Sequence, residues 1–552
     1  MADVSGGSLA TLVLSVAAWL LEQAGAPVTD ARVIPQDAKQ DRSWLLLSLG
    51  EARATRDAVH EAARIVRDLL RGSDPELDEA VAVLARRFSE SRPQPAALAI
   101  MQAAQARGIP VRRDDDDGTI QLGLGATLHR LPATMSDGDV DLDTLYPPGQ
   151  PTTIPVIAIT GTNGKTTTTR LIAHLFRAAG HRVGFTTTDG VYFQEQLLKQ
   201  GDLTGPFAAS MIISHPEVDV AVLETARGGI LRAGLGYSEC DVAVVTNVSA
   251  DHLGLGGIDT IEQLAELKSV VPAVVKPSGC AVLNADDPLV VQMERRVKGR
   301  VAWFTMQPGT LDLGLAEHVA GGGVVARTEG EGDAEEVVLL EGNARTSLGI
   351  VSEIPLTFGG LARFQVANVL AAVAAAHAQG VPVEVIRRAL MSFAPGAEHT
   401  PGRLNVIETS RGRVIMDYAH NPAAIAALLE FVRRAPGERR MALLGAPGDR
   451  RDEDLREIGR LSAGLDLVVF KEHAHYRRGR PTGEIARIMA EGALEAGAPK
   501  ERVMCFDEES DAVAHVMGLM RTGDVVVIVA DDMDAVTVQL SPFAFSPARG
   551  VP

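Results

Sequence analysis

At 552 residues the chain has material for about three domains, and its 46% hydrophobic and 22% charged content is that of an ordinary globular protein. A formal net charge of -18 speaks against nucleic acid or a membrane surface as a partner, while leaving room for a local basic pocket. Cys240, Cys280 and Cys505 are scattered, without disulfide or metal-ligand spacing, and read as small apolar residues of a reduced compartment.

In chain order, residues 1–150 are expected to open strand-like and to continue with helices over 57–70, 76–88 and 95–107. The apolar run 9–21 is too short to span a bilayer and follows Asp3 rather than a basic stretch, so a cytoplasmic location is expected. Two strands, 109–113 and 119–124, flank four consecutive aspartates at 114–117. Like charges repel unless a cation holds them, so these read as a solvated turn. Residues 135–153, rich in Asp, Pro and Gly, read as a linker.

Residues 155–169, P-V-I-A-I-T-G-T-N-G-K-T-T-T-T, carry the strongest signal in the chain. An apolar run ends in a glycine-bracketed turn, and Lys165, Thr166 and Thr167 open a helix. Backbone N–H groups of such a turn and the helix N-terminus cradle polyphosphate oxygens; the lysine neutralises the transferred phosphate and a threonine hydroxyl can hold Mg²⁺. The wording T-G-T-N-G-K-T-T (Thr160, Gly161, Thr162, Asn163, Gly164 and onward) is narrower than the generic phosphate loop, which would place glycine where Ile159 stands.

Further strands are expected at 182–186, 218–223, 241–246, 280–283 and 300–304, alternating with helices as in a parallel sheet covered on both faces. Residues 311–357 read as antiparallel strands, and 364–378 as an alanine-rich helix. From about residue 400 a second α/β rhythm begins, with strands at 414–416, 441–444, 467–470, 503–506 and 525–529 and a proline-led helix over 422–434.

Ligands of open α/β sheets sit beyond the carboxyl ends of the strands. There the sequence places the phosphate loop, then 186–189, Glu224, Asn247 with Asp251-His252, and Asn284 with Asp286-Asp287. Glu224, directly after an apolar strand, suits a cation that bridges ATP oxygens together with Thr166 or Thr167. His252 reads as a second metal ligand, a phosphate contact or a satisfied loop histidine. Lys268, on an apolar helix face, must be paired or reach outward. Arg477, Arg478 and Arg480 read as small-anion contacts rather than a DNA face.

These motifs resemble the Mur ligases and folylpolyglutamate synthetase, and are closest to the Mur-like half of the cyanophycin synthetases. The resemblance rests on T-G-T-N-G-K-T-T-T-T-R-L, E-T-A-R-G-G-I-L-R, N-V-S-A-D-H-L-G-L and L-N-A-D-D-P. It continues in I-P-L-T-F-G-G, T-P-G-R at 400–403, D-Y-A-H-N-P at 417–422 and G-D-R-R-D-E-D at 448–454, in the right order over roughly 400 residues. It implies a three-domain α/β enzyme: an N-terminal α/β domain (1–150), a central phosphate-loop ATPase domain with a parallel sheet (151–398) and a Rossmann-like C-terminal domain (399–552). The implied reaction activates a carboxylate as an acyl phosphate, which an amine captures to give an amide, ADP and phosphate. By motif position Lys165 contacts the transferred phosphate, Thr166 and Glu224 hold Mg²⁺, and His252 supports a second metal. Lys268 falls where the family keeps a lysine, carbamylated in several members. Asn284, Arg403 and Asp417 are implied nucleotide contacts, with His420 and Asn421 near the reacting groups.

Two departures qualify the resemblance. Residues 93–125 also look like the N-terminal region of cyanophycin synthetase, yet only about twenty to thirty residues separate them from the Mur-like part, where that family inserts an ATP-grasp domain. The chain is therefore not expected to build an Asp–Arg polymer alone, and a separate ATP-grasp partner is an open expectation, as is a homo-oligomer. At 471–480, K-E-H-A-H-Y-R-R-G-R, family acids are replaced by His473, Ala474 and His475, which puts arginine in doubt as the amine. The expected activity is an ATP- and Mg-dependent ligase joining an amine to an aspartate-like carboxylate on a small or peptide acceptor. The alternatives are a glutamate-adding or peptidoglycan-precursor ligase, and a non-catalytic nucleotide-binding partner of a separate ligase.

Overall fold

A computed structural model describes residues 9–26, 28, 30–37, 42–48, 52–91, 94–114, 118–132, 134, 140–307, 314–396 and 399–543. It divides the chain into two compact units, the first built on residues 1–154 and the second on most of 155–552. The aspartates at 115–117, residues 135–139 of the expected linker and residues 311–313 lie outside the described residues.

In the first unit the strand-like opening is replaced by the helix Leu9–Gln23. Its run of Leu, Ala and Val has no polar alternation to hold a half-buried strand. Leu20, Leu21 and Ala17 instead pack on Ala58, Ala62 and Ile65 of the helix Ala52–Leu70. A hairpin, Asp30–Asp37 with Arg42–Ser48, was not expected. The helix Pro95–Ala106 leads into a small antiparallel sheet of Val111–Arg113, Ile120–Leu122 and His129–Leu131. Tyr146 donates its hydroxyl to the carbonyl of Leu122 (2.6 Å), and burial drives its ionisation up to about 12.

The second unit holds two sheets. The larger has eleven strands, with Val156–Thr160 flanked by Val220–Glu224 on one side and Cys240–Val245 on the other. Val183–Thr187, Val275–Asn284, Arg300–Thr305 and Val324–Glu329 extend it in parallel. The sheet is mixed rather than purely parallel: Gly190–Phe193 and Gln196–Gln200 at one edge, and Glu336–Glu341 and Ala344–Ile350 at the other, run antiparallel. Residues 311–357 are correspondingly not all antiparallel strand, since Leu315–Ala320 is a helix and Val324–Glu329 pairs in parallel. The central strands are buried along their whole length, and this selects their near-continuous Val, Ile, Leu and Ala content. The helix Arg363–Ala378 packs across the strands and against Lys165–Ala178. It is buried around most of its circumference, so alanine on every side suits the tight space.

The smaller sheet runs Asn405–Thr409, Gly412–Asp417, Asp524–Val529, Arg440–Leu444, Leu467–Lys471 and Val503–Phe506, parallel except for the first pair. Its edge strand Asn405–Thr409 was missed because it lacks an apolar run. Fully buried Lys471 ion-pairs with Glu509 (2.6 Å) and Asp531, tying the end of its strand to the helix Glu509–Leu519 and to the end of Asp524–Val529, two strands away. Beside this sheet, the helices Asp452–Ser462 and Glu484–Glu495 approach through two glycines. A Cβ on Gly459 would lie 1.9 Å from the Met489 carbonyl oxygen, and one on Gly492 would lie 2.1 Å from that of Arg456.

Alanine is normally better than glycine in a helix by about 1 kcal/mol. At Gly459 the clash is with backbone, so we expect Gly459→Ala to destabilise the protein by about 1–3 kcal/mol, the usual penalty of overpacking. A urea midpoint at or above that of the wild type would contradict this account of the helix pair.

Candidate active site

The carboxyl ends of the central strands converge as the topology requires. Ile159 is level with Glu224 on one neighbour and with Val244 on the other, so the loop after Thr160, the Glu224 carboxylate and the Thr246–Asn247 turn meet at one edge. The loop is held by its neighbours. Thr162 N donates to Asn247 O (2.8 Å) and Asn163 N to Asn247 Oδ1 (3.0 Å). Asn163 O accepts from Thr246 Oγ1 (2.7 Å) and Asn247 Nδ2 (3.1 Å). Gly161 and Gly164 have φ of 142° and 85°, and a Cβ on either would meet Thr246 Oγ1 at 1.9 Å or Asn368 Oδ1 at 2.2 Å. Gly164 starts the helix Lys165–Ala178, whose first-turn N–H groups have no carbonyl partner within the helix.

A cavity of about 990 Å³ opens over this edge. Gly161 to Thr167, Glu224, His252, Lys268, Asn284, Arg403, Asp417 and His420 line it, whereas Thr160 and Asn421 do not. Thr160 is fully buried and donates its hydroxyl to Thr225 O (2.9 Å), so it supports the loop from the strand side. Asp286 and Asp287 also stand apart. The first accepts from Thr305 and Met306, the second accepts from Val248 N (2.7 Å) and starts a short helix. Asn284 Nδ2 donates to Thr246 O (2.8 Å). Of the three arginines read as anion contacts, only Arg478 reaches the cavity. Arg477 bonds Thr482 and Glu508, and Arg480 bonds Asp452, Glu484 and the carbonyls of Gly448 and Arg450.

Glu224 is 2% exposed. Its Oε2 accepts from Thr166 Oγ1 (2.9 Å), while Oε1 is buried with no hydrogen-bond partner. Burial pushes its carboxyl above the ordinary range, against the pull of Lys165, Thr166 and Arg403. An unshared carboxylate oxygen beside a threonine hydroxyl is a hard-oxygen donor set of the kind a divalent cation takes. His252 does not join that pair. It clusters with Asp251 and His420, three ligand atoms within 4.8 Å of one another.

Arg450 reaches into this second cluster from the smaller sheet's side. Its side chain is 1% exposed and lies 3.1 Å from Asp251 and from Asp449, and 2.8 Å from His252 Nδ1. Burial, reinforced by the Arg450 charge and opposed by Asp251, lowers His252 to about 4. Burial also lowers His420, whose Nδ1 lies 2.9 Å from the Tyr418 carbonyl. That nitrogen must therefore carry the hydrogen, leaving Nε2 of the neutral ring as the acceptor. Burial raises Asp251, but His420, Arg450 and His252 together more than offset it and hold the carboxylate below its usual range. Arg403 reaches Thr188 Oγ1 (3.3 Å) and lies over the Tyr418 ring (4.9 Å). Asp417 accepts from Leu404 N (2.8 Å) and is raised by burial.

Lys268 is paired inward: its Nζ donates to the loop carbonyl of Gly161 (2.7 Å) from a fully buried position. Burial, with Lys165 and Arg227 adding like charge, lowers it to about 7. Sequence reasoning missed Arg450, although it quoted the G-D-R-R-D-E-D run around it. It also missed Asn368, whose Oδ1 lies under Gly164 and accepts from Thr168 Oγ1 (3.4 Å). The signal was Gln365 and Asn368 at helical spacing in an otherwise apolar helix; they bond each other at 2.8 Å.

A phosphate loop on a covered sheet, a buried carboxylate beside it and residues of a second α/β sheet thus meet at one cavity. The family model described as Mur ligase middle domain matches residues 159–376, and that of the Mur ligase, glutamate ligase domain matches 402–531. Together they cover more than half of the sequence, and the chain belongs to the Mur ligase family. It is 48% identical to the cyanophycin synthetase of Synechocystis sp. over 368 residues, 66% of this chain and 41% of that protein. With the cyanophycin synthetase of Crocosphaera subtropica it shares 46% over 388 residues, 70% of this chain and 44% of that one. The chain thus spans less than half the length of these relatives. MurF from Acinetobacter baumannii has the same fold, with a TM-score of 0.51 at 22% identity over 70% of this chain and 77% of that one. Among the described residues, no helix is long and apolar enough to cross a membrane.

The depressed Lys268 pKa has a consequence for stability. Between about pH 7 and the ordinary lysine value of 10.5 the unfolded chain binds a proton that the folded lysine lacks, so this residue's penalty is complete below pH 7 and fades as pH rises. Lys268→Met should therefore gain in melting temperature relative to the wild type as pH falls from 9 to 6. A difference that is flat with pH would mean that Lys268 is not titrating near 7.

Proposed function

We propose that this chain is an ATP- and Mg²⁺-dependent amide ligase of the cyanophycin synthetase type. It activates an aspartate-like side-chain carboxylate for attack by arginine or another amine, with domains close to 1–150, 151–398 and 399–552. The observation that carries the reading is the phosphate loop beside Glu224, whose partnerless buried oxygen faces the same cavity as residues of the smaller sheet. The N–H groups of the helix's first turn, which the loop leaves uncommitted, bind the triphosphate, with Lys165 at the phosphate that moves. Thr166 and Glu224 would hold Mg²⁺, which when bound screens the charge of the phosphate oxygens.

The carboxylate oxygen forms a bond to the γ-phosphorus as the bond to the β-phosphate oxygen breaks, and ADP leaves. The amine nitrogen then bonds to the acyl carbon as phosphate departs. His420 Nε2 accepts the proton that the nitrogen must lose, and Arg403 and Asp417 position the nucleotide. The acyl phosphate is fragile in water, so residues of the smaller sheet exclude solvent while it exists. Lys268, uncharged above about pH 7, is the amine free to add carbon dioxide and become a carbamate beside the loop. A cytoplasmic setting and a separate ATP-grasp partner for backbone extension complete the reading.

ADP release should appear only when an aspartate-bearing peptide and an amine are both present, in a panel of arginine, lysine, glutamate and diaminopimelate. Lys165→Ala is expected to lower that rate by about 100-fold or more while leaving the melting temperature near that of the wild type. Tight ATP binding without turnover for any pair would favour the non-catalytic partner instead. Glu224→Gln should shift the Mg²⁺ concentration needed for half-maximal rate upward; an unchanged requirement would remove Glu224 from the metal site.

A further inference from the structure

Two asparagines 258 positions apart face each other amide to amide. Asn163 stands at the apex of the phosphate loop, and Asn421 precedes the helix Pro422–Arg434 beside the smaller sheet. Nδ2 of Asn163 donates to Oδ1 of Asn421 (3.2 Å), and Nδ2 of Asn421 returns a bond to Oδ1 of Asn163 (3.0 Å). Ala424 N also donates to Asn421 Oδ1 (2.9 Å), which fixes which end of that amide is oxygen and therefore the sense of the whole pair. Asn421 is wholly buried, while Asn163 is half-buried at the cavity wall.

The main chain of Asn163 is already committed on its other side. Its N–H goes to Asn247 and its carbonyl accepts from Thr246 and Asn247, all at the end of one strand of the larger sheet. The side chain is what remains to reach the segment D-Y-A-H-N-P. That segment also carries Asp417 and His420 into the cavity. One reciprocal bond pair therefore joins the nucleotide loop to the stretch that brings the smaller sheet's polar groups.

We propose that Asn421 is a positioning residue that acts through Asn163: it registers the phosphate loop against residues 417–422, so that the loop takes its nucleotide-binding geometry when that segment is docked. The role rests on the reading of 160–167 as the nucleotide loop. It differs from ordinary helix capping, which Asn421 also performs through Ala424. Serine separates the two roles, because it caps a helix about as well as asparagine, is uncharged, and is too short to bond Asn163.

The test uses the full chain and AMPPNP with Mg²⁺ as the probe, with affinity read by calorimetry and melting temperature read without nucleotide. Asn421→Ser should melt close to the wild type yet bind AMPPNP about tenfold more weakly, within the usual range of coupling between sites. Asn421→Ala should lose both affinity and melting temperature. In an Asn163→Ala background, adding Asn421→Ser should change affinity by less than about twofold, since its partner is already gone. Full affinity in the serine variant, or an equal loss in both backgrounds, overturns the proposal. A wild-type protein that does not bind AMPPNP overturns the nucleotide reading itself, and the two failures are distinct.

Discussion

A loop that offers backbone N–H groups to phosphate must satisfy its remaining polar atoms elsewhere, and the structure is arranged around that requirement. Thr162 and Asn163 turn their N–H groups toward Asn247 and so cannot serve a ligand. The carbonyls of Gly161 and Asn163 are taken by Lys268, Thr246 and Asn247. What is left outward is the first turn of the helix Lys165–Ala178, where unpaired donors and the helix dipole act together. Closing the loop costs two glycines, because no Cβ fits where Thr246 and Asn368 press against it. Parallel pairing then fixes Glu224 level with Ile159, and the carboxylate needs no flexible linker to find the phosphate site.

Charge is distributed against the bulk. The chain carries -18 overall, yet Lys165, Lys268, Arg227, Arg403, Arg450 and Arg478 all line one cavity. A triphosphate brings several negative charges to such a place, and burial strengthens each interaction with it. The same burial penalises cations that stand close together, and Lys268 answers by giving up its proton near neutrality. Arg450, in an equally buried position, is flanked by Asp251 and Asp449.

Much of this was legible in the sequence because the central strands obey one rule. They are buried on both faces, so their apolar runs stand out, and the polar residue after each run marks an end that the topology gathers. Strands that break the rule were missed or misread. Asn405–Thr409 sits at an edge with three of its five residues polar, and the helix Leu9–Gln23 shows an apolar run that burial alone does not assign to either form. Asp286 and Asp287 follow a strand as Glu224 does, but the chain turns immediately and spends them on main-chain N–H groups. Spacing cannot tell a carboxylate used by the backbone from one aimed at a ligand. Nor could spacing show that His252 groups with His420 and Arg450 as well as Asp251, because that cluster depends on a loop 198 residues away.

The segment 471–480 bears on substrate choice in a way that the missing acids alone do not suggest. Lys471 and Glu472 are fully committed to the fold: the lysine binds Glu509 and Asp531, and Glu472 accepts from the N–H groups of Gly483, Ile485 and Ala486. His475 is exposed and outside the cavity, and His473 borders a small separate pocket with Glu508 and Glu509. The residues that this segment gives to the main cavity are Tyr476 and Arg478, an aromatic ring and a cation 5.6 Å apart. The ring face is covered by the Arg478 cation, and neither residue adds a carboxylate to the cavity. Carboxylates that other elements give to the cavity include Asp202, Asp251 and Asp449, and the last two are engaged by Arg450. Positions 473–475 give no side chain to the main cavity, so the exchange of residues there does not by itself change the charge that the cavity presents.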